Sequence, residues 1–252
     1  MDHVRQHTEA NRVTWNSIAP SRPPEPPEFF AGGGSTLDDC EAEALGPVTG
    51  RRLLHLQCAA GNDSLSWAVR GAQVVGVDIS DVAIATATRQ AATSGLDATF
   101  VAADVYDLPE SIGTFDIVYA SAGVVCWLPD LDRWAAIVSG RLRRGGTFLL
   151  YEHHPVWETL CVGEDGVRIS TDYFGRDALD APQLDPTKRP VGWTPQSRFR
   201  CFLWPLGDVV TALARAGLRL DLVEEHPCAE MYGGWPSVRW LPATYLVRAF
   251  RD

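Results

Sequence analysis

None of the six cysteines, at Cys40, Cys58, Cys126, Cys161, Cys201 and Cys228, stands in a C-x-x-C pair. Several lie in apolar runs where a free thiol behaves as a small hydrophobe, so neither a zinc site nor a disulfide framework is expected. The opening residues, MDHVRQHTEANR, have no apolar signal core, and no later run reaches the roughly 18 apolar residues of a membrane span. A soluble, cytoplasmic chain that does not enter a membrane is expected. Basic residues are outnumbered, 22 against 32 acidic ones, for a net charge of −10. Such a surface repels phosphate backbones, which argues against a nucleic-acid partner. Three nucleotide motifs are also missing: G-x-G-x-x-G, the phosphate loop G-x-x-x-x-G-K-[ST], and the Y-x-x-x-K pair of short-chain reductases. A pyrophosphate ligand fits poorly.

What the chain does have is an alternation of strand and helix after residue 50. The stretch LLHLQCAAGNDSLSWA, Leu53 to Ala68, runs from an apolar strand (Arg52–Gln57) through a turn of small residues ending in Gly61 to a helix over about Asn62–Arg70. A helix N-terminus after a tight turn presents free N–H groups and a positive dipole end to a ligand. A second strand over Ala72–Asp78 precedes a helix over Asp81–Ser94, with Ser80 as N-cap and Gly95 as stop. Strands follow at Thr99–Ala103, Phe115–Ala120 and Thr147–Glu152, with a helix over Leu131–Leu142 between the last two. A final helix over Leu206–Ala216 leads to strands at Leu218–Glu224 and Thr244–Phe250, which flank a loop holding Met231, Tyr232, Trp235 and Trp240. The pattern is that of a doubly wound, mostly parallel α/β sheet covered by helices on both faces.

Two segments depart from that rhythm. Residues 1–50 hold a short helix up to Pro20, with Val13, Trp15 and Ile18 as candidate buried positions. A proline-rich stretch, the GGGST turn and a second helix near Leu37–Leu45 follow. This segment reads either as a linker or as a lid over a ligand, the proline run being extended rather than helical. Residues 153–205 are crowded with Pro, Gly, Asp and aromatics, including Trp157, Tyr173, Phe174, Trp193 and Phe199, and runs such as RFRCFLW suggest hairpins. An aromatic insertion of that length suits a substrate cover. We read residues 51–152 as a cofactor-binding half, 153–205 as the insertion, and 206–252 as the closing helix and strand pair of one domain.

Acids close the other strands. Asp78 lies about 17 residues beyond Gly61, near the spacing at which an acid accepts ribose hydroxyls, and Asp104 ends the next strand, where it can accept from the amine of adenine. In a parallel sheet these C-terminal ends open on one crevice. The succession LLHLQCAAGNDSLSWA, VVGVDIS, VAADVYDLP, FDIVYASAGVVCWL and RLRRGGTFLLYEHH resembles the class I S-adenosylmethionine-dependent methyltransferases over residues 51–152. That resemblance implies a Rossmann-like seven-stranded sheet with an antiparallel last strand, to which the lid reading of residues 1–50 adds an N-terminal helical cover. It implies S-adenosyl-L-methionine as cofactor and S-adenosyl-L-homocysteine as product. It places Asp78 at the ribose and Asp104 with Val105 at the adenine. The backbone from Gln57 through Cys58 and Ala59 to Gly61 falls along the methionine part, Ser121 lines the pocket, and Asp63 and Ile79 are further cofactor-binding candidates. The family has an acid where His55 stands and glycines where Gln57 and Ala59 stand, which narrows the approach of backbone to ligand.

Methyl transfer is an in-line displacement in which alignment and exclusion of water do most of the work, and a base is needed only for a nucleophile that holds its proton. Candidate bases follow the fifth strand at His153 and His154, which alternation sends to opposite sides. His154, at the mouth of the insertion, is favoured over His153. Glu152 can cap a helix or pair with an arginine. Trp127, Tyr173 and Trp235 are candidate walls for a small, aromatic or apolar acceptor. Trp15 and Asn16 can close over the cofactor. The expected molecule is a monomer or homodimer acting on a small-molecule N, O or C nucleophile. The rivals are a cofactor-binding protein without methyl transfer, regulatory or catalysing a rearrangement, and an NAD(P)-dependent oxidoreductase.

Overall fold

Alternate residues of the central strands bury apolar side chains on both faces of a sheet, and helices cover each face. The computed structural model describes residues 3–163, 166–180, 188–194, 199–233 and 239–252. In chain order the strands are β1 (Arg52–Leu56), β2 (Gln73–Asp78), β3 (Ala98–Ala102), β4 (Phe115–Ala120), β5 (Leu142–His153), β6 (Leu160–Gly163), β7 (Gly166–Ile169), β8 (Leu179–Asp180), β9 (Arg200–Cys201), β10 (Leu218–Pro227) and β11 (Pro242–Arg251). The helices are α1 (His3–Ile18), α2 (Pro27–Ala31), α3 (Asp39–Leu45), α4 (Asn62–Val69), α5 (Asp81–Ser94), α6 (Leu131–Arg141), α7 (Pro155–Thr159) and α8 (Leu206–Arg215).

Seven strands form one sheet in the order β10-β11-β5-β4-β1-β2-β3. The five from β3 to β5 are parallel, while β11 runs antiparallel to both β5 and β10. This is the doubly wound, Rossmann-like sheet with an antiparallel last strand. Leu54, Leu56, Val118, Phe148 and Leu150 pack with Trp134 and Val138 of α6 and Val209 and Leu213 of α8. Their neighbours Leu53, Ile117 and Leu149 point to the other face and meet Trp67 of α4 and Leu45 of α3. Every residue of β4 is buried, as a strand covered on both faces requires.

The proline-rich stretch is not extended throughout. Pro27 opens α2, because the first turn of a helix needs no N–H from its first residue, and Phe30 of α2 is buried beside Leu65. Val13 is exposed at 58%, since α1 turns Val4, Asn11, Thr14 and Ile18 inward instead. β5 begins at Leu142, before the two glycines rather than after them. In the insertion β6 pairs with β7 and β8 with β9. No helix among the described residues is long and apolar enough to cross a membrane.

Candidate functional site

The turn after β1 is built where ordinary side chains resist the backbone. Gln57 has φ 58° and Ala59 φ 47°, the left-handed region, which costs an L-residue about 1–2 kcal/mol. Surrounding bonds hold the turn in place. The Cys58 N–H donates to Val77 O at 2.9 Å and the Ala59 N–H to Asp78 Oδ2 at 2.8 Å. Gln57 Nε2 donates to Val124 O at 3.0 Å, while Gln57 Oε1 is buried with no hydrogen-bond partner. At Gly61, φ is 85° and a Cβ would come within 2.9 Å of Ala87 and the Phe100 ring, so only glycine fits.

Two cavities adjoin at this turn and share Trp15, Arg22, Gln57, Ala59 and Ala122 as walls. The first, about 310 Å³, extends from Asp78, Ile79, Asp104 and Val105 past Gln57 to Trp127 and His153. The second, about 610 Å³, follows the turn through Cys58, Ala59, Gly61 and Asp63 to Ser121. All ten residues that the sequence assigns to the cofactor thus lie on one divided crevice at the C-terminal ends of β1, β2, β3 and β4. Asp78 accepts from the Ala59 and Ser80 N–H groups, each at 2.8 Å, and burial raises its pKa against the pull of these donors. Asp104 Oδ1 accepts from Tyr106 N at 2.9 Å. Helix α1 is clamped above β2: the Ser80 hydroxyl donates to Asn16 Oδ1 at 2.7 Å, and Asn16 Nδ2 donates to Asp81 at 2.6 Å. Asn16 therefore anchors the covering helix, and Trp15 lines the crevice.

His55, the residue in place of an acid, is at the centre of a buried network. Its Nδ1 is 2.7 Å from Ser64 Oγ and its Nε2 3.1 Å from Ser121 Oγ. Burial pushes its pKa down to about 4, against the charge of Asp63. Neutral His55 thus fixes Ser121, which donates to Asp63 Oδ2 at 2.7 Å, while Thr36 donates to Asp63 Oδ1 at 2.6 Å. Tyr119, 4.7 Å from the His55 ring, donates to Glu41 of α3. Burial raises the Glu41 carboxyl to about 7 from 4.5, against its bonds from Tyr119 and from the Asp38 N–H. An acid with a raised folded pKa stabilises the fold fully below its unfolded pKa and loses that contribution as pH rises through the folded one. Glu41→Gln is therefore expected to match the parent near pH 4.5 and to exceed it in stability by up to about 3 kcal/mol at pH 8. Urea titrations of both proteins across this range check the difference.

β5 delivers its last three residues to different places. Glu152 is buried and accepts from the backbone N–H groups of Gly123, Val124 at 2.8 Å, Val125 at 2.7 Å and His153 at 2.7 Å. It caps the short turn that starts at Val125 and makes no arginine pair among the described residues. Burial raises its pKa against the charge of His153 and these donors.

His153 lines the first cavity, its Nδ1 3.6 Å from Glu158 Oε1 and its ring 4.8 Å from that of Trp157. Burial works against its charge, but Glu158 and Glu152 together outweigh this and raise its pKa. His154, the base the sequence favours, points to the other side. It is 3% exposed, its Nδ1 accepts from Val156 N at 3.1 Å to cap α7, and its Nε2 stands 2.8 Å from Glu225. Burial lowers its pKa against the pull of Glu225. The alternation of the pleat holds, and the choice between its two sides reverses.

Trp127 lines the cavity, with ring centroids 5.2 Å from Trp15 and 4.9 Å from Phe199. Tyr173 is not among its lining residues and meets the exposed Phe174 ring edge-on instead, at 5.0 Å. Trp235 lies outside the described residues. Sequence reasoning missed Glu158 and the walls supplied by Thr8, Asn11, Lys188 and Arg189. The proline after His154 is a helix-start signal that places Glu158 in the first turn of α7, near His153.

Residues 53–146 match the family described as "Methyltransferase domain". An uncharacterized protein of Mycobacterium bovis is 34% identical over 110 residues, 40% of either chain, so the chain spans about two fifths of that relative's length. Among solved structures, an S-adenosylmethionine-dependent methyltransferase from Mesorhizobium loti has a TM-score of 0.62 at 24% identity, covering 84% of this chain and 96% of its own. A glycopeptide N-methyltransferase crystallised with S-adenosyl-L-methionine has a TM-score of 0.58 at 18% identity, covering 94% and 95%.

Proposed function

We propose that this chain, whose residues 53–146 match the methyltransferase-domain family and whose fold is like that of solved S-adenosylmethionine-dependent methyltransferases, moves a methyl group to a small aromatic or apolar acceptor and releases S-adenosyl-L-homocysteine. The observation that carries this reading is one crevice with Asp78 and Asp104 at one end, His153 and Trp127 at the other, and a buried, unpartnered Gln57 Oε1 where its two cavities meet. An unpaired buried acceptor costs about 1–3 kcal/mol until a donor reaches it. The cofactor's α-ammonium and ribose hydroxyls are such donors, so the residues present fit the group.

S-adenosylmethionine supplies an electrophilic methyl on a sulfonium. Asp78 accepts the ribose hydroxyls on the lone pairs that Ala59 and Ser80 leave open. Asp104, Ile79 and Val105 bound the adenine side, and Asp63, pre-oriented by Thr36 and Ser121, sets a carboxylate at the amino-acid side. Trp15, Trp127 and Trp157 exclude water from the acceptor end, which suits a displacement governed by alignment. His153 takes the acceptor's proton, and Glu158, ion-paired to Nδ1, steadies the imidazolium that results. The insertion covers the acceptor, and the acidic surface favours a metabolite over nucleic acid.

Calorimetry with S-adenosyl-L-homocysteine and with NADH is the direct test. Saturable one-to-one binding of the first and none of the second is expected. Heat from NADH alone would overturn the reading. Transfer of labelled methyl across an acceptor panel separates an enzyme from a protein that only binds the cofactor.

A further inference from the structure

Three arms of the crevice meet at Gln57. One runs to Asp78, Ile79 and Asp104, another to Trp127 and His153, and the third, which is the second cavity, past Gly61 to Asp63 and Ser121. The residues common to both cavities are Trp15, Arg22, Gln57, Ala59 and Ala122. None of the five is acidic, and Arg22, the one charge among them, is exposed with its guanidinium 5.2 Å from the centre of the Trp15 ring. Indole and guanidinium only donate and alanine does neither, so Gln57 Oε1 is the one side-chain acceptor at the junction. Its direction is set from behind. Nε2 donates to Val124 O at 3.0 Å, and the Val124 N–H is itself held by Glu152 Oε2 at 2.8 Å. A carbonyl can take only the NH₂ side of the amide, which leaves Oε1 turned away from it, buried and without a hydrogen-bond partner among the described residues. The chain keeps this side chain at φ 58°, where a glycine would carry no strain.

Resting on the methyl-transfer reading, we propose that Gln57 Oε1 receives the positively charged sulfonium centre of the cofactor and thereby distinguishes the methyl donor from its demethylated product. A sulfonium sulfur carries three substituents, the adenosyl group, the amino-acid chain and the methyl, and three arms meet here to take them. Asp78 serves the ribose hydroxyls and Asp63 the α-ammonium, so neither group needs Gln57. The sulfonium has no N–H or O–H of its own. Its charge is shared with the adjoining C–H groups, which are drawn to an amide oxygen whose dipole is already aimed. Burial strengthens the contact, because water does not screen it. The product is neutral at sulfur, which keeps the bonding pair of the departed methyl, and Oε1 then faces no charge. The contact therefore favours donor over product and helps the one replace the other.

Calorimetry on the full chain, with S-adenosyl-L-methionine and S-adenosyl-L-homocysteine titrated separately and no acceptor present, reads the contact as a ratio of two affinities. Gln57→Met removes the acceptor at similar length, and Gln57→Gly removes it while relieving the backbone, so a variant remains if the first does not fold. In each folded variant, affinity for the donor is expected to fall about 10-fold more than affinity for the product, the size of a hydrogen bond to a charged group. A Gln57 that only shapes the turn, or that takes the α-ammonium, would weaken both ligands alike, since they differ only in the methyl and its charge. Thermal midpoints report folding. A ratio that moves by less than about threefold in a folded variant, or moves in the product's disfavour, would overturn the proposal. Failure of the parent protein to bind either ligand would instead overturn the methyl-transfer reading.

Discussion

Replacement of His153 by asparagine is expected to lower kcat for methyl transfer by about 10²- to 10⁴-fold, the usual contribution of a positioned base, with cofactor affinity unchanged. The same change at His154 is expected to leave kcat within a few-fold and to lower the thermal midpoint, because that ring caps α7 and pairs with Glu225 away from the crevice. Glu158 and Glu152 hold the His153 pKa above its ordinary value of 6.5. Proton acceptance requires the neutral ring, so kcat should rise with pH through an apparent pKa above 6.5. Glu158→Gln should move that limb to lower pH, since it removes a charge that favours the imidazolium, and should lower the plateau. Steady-state rates across pH 5.5 to 9 on any acceptor that turns over provide the measurement. A His153 variant with parental kcat would show that alignment alone suffices for that acceptor.

Asp78→Asn is expected to weaken binding of S-adenosyl-L-homocysteine by about 100-fold, near 3 kcal/mol, as measured by calorimetry at pH 7.5. The carboxylate has two tasks. One oxygen accepts from Ala59 N and the other from Ser80 N, and each keeps a lone pair for a ribose hydroxyl. An amide has one acceptor oxygen, so its NH₂ would face a backbone N–H and lose a hydroxyl partner as well. The bond to Ala59 also secures a residue at φ 47°, and the turn should loosen when it goes. Burial raises the Asp78 pKa, so parental affinity should fall on acidification with a midpoint above the ordinary 3.8 of an aspartate. Unchanged affinity in the asparagine variant would remove Asp78 from the site.

The parts of the molecule written in local periodicity are legible in the sequence. The five parallel strands, their helices, and the acids at Asp78 and Asp104 follow from apolar runs that end in a polar residue, since a strand covered on both faces must be apolar until it emerges. The exchange of His153 for His154 marks the limit of such reading. Alternation shows that two neighbours diverge, but their facing depends on the β5–β11 register, which pairs His153 with Thr244, and on Glu225 waiting across the sheet in β10. Aromatic composition alone draws Tyr173 to the site, and its partner is instead the neighbouring exposed Phe174. His55 stands where the family has an acid, and which partners satisfy it is not written locally: its two serine partners and Asp63 come from α4 and the end of β4, contacts that no local pattern contains.

Non-glycine side chains at Gln57 and Ala59 bear on how the empty protein meets its ligand. A glycine-rich turn samples many backbone states when unfolded or unliganded, and ordering it costs conformational entropy. Here the disfavoured angles are already imposed by Asp78, Val77 and Val124, and the side chains narrow the alternatives the turn could visit. Folding bears the strain, so less ordering remains for the binding step. The crevice should accordingly behave as a preset mould, with amide exchange at the turn slow even before ligand arrives and little further slowed by it.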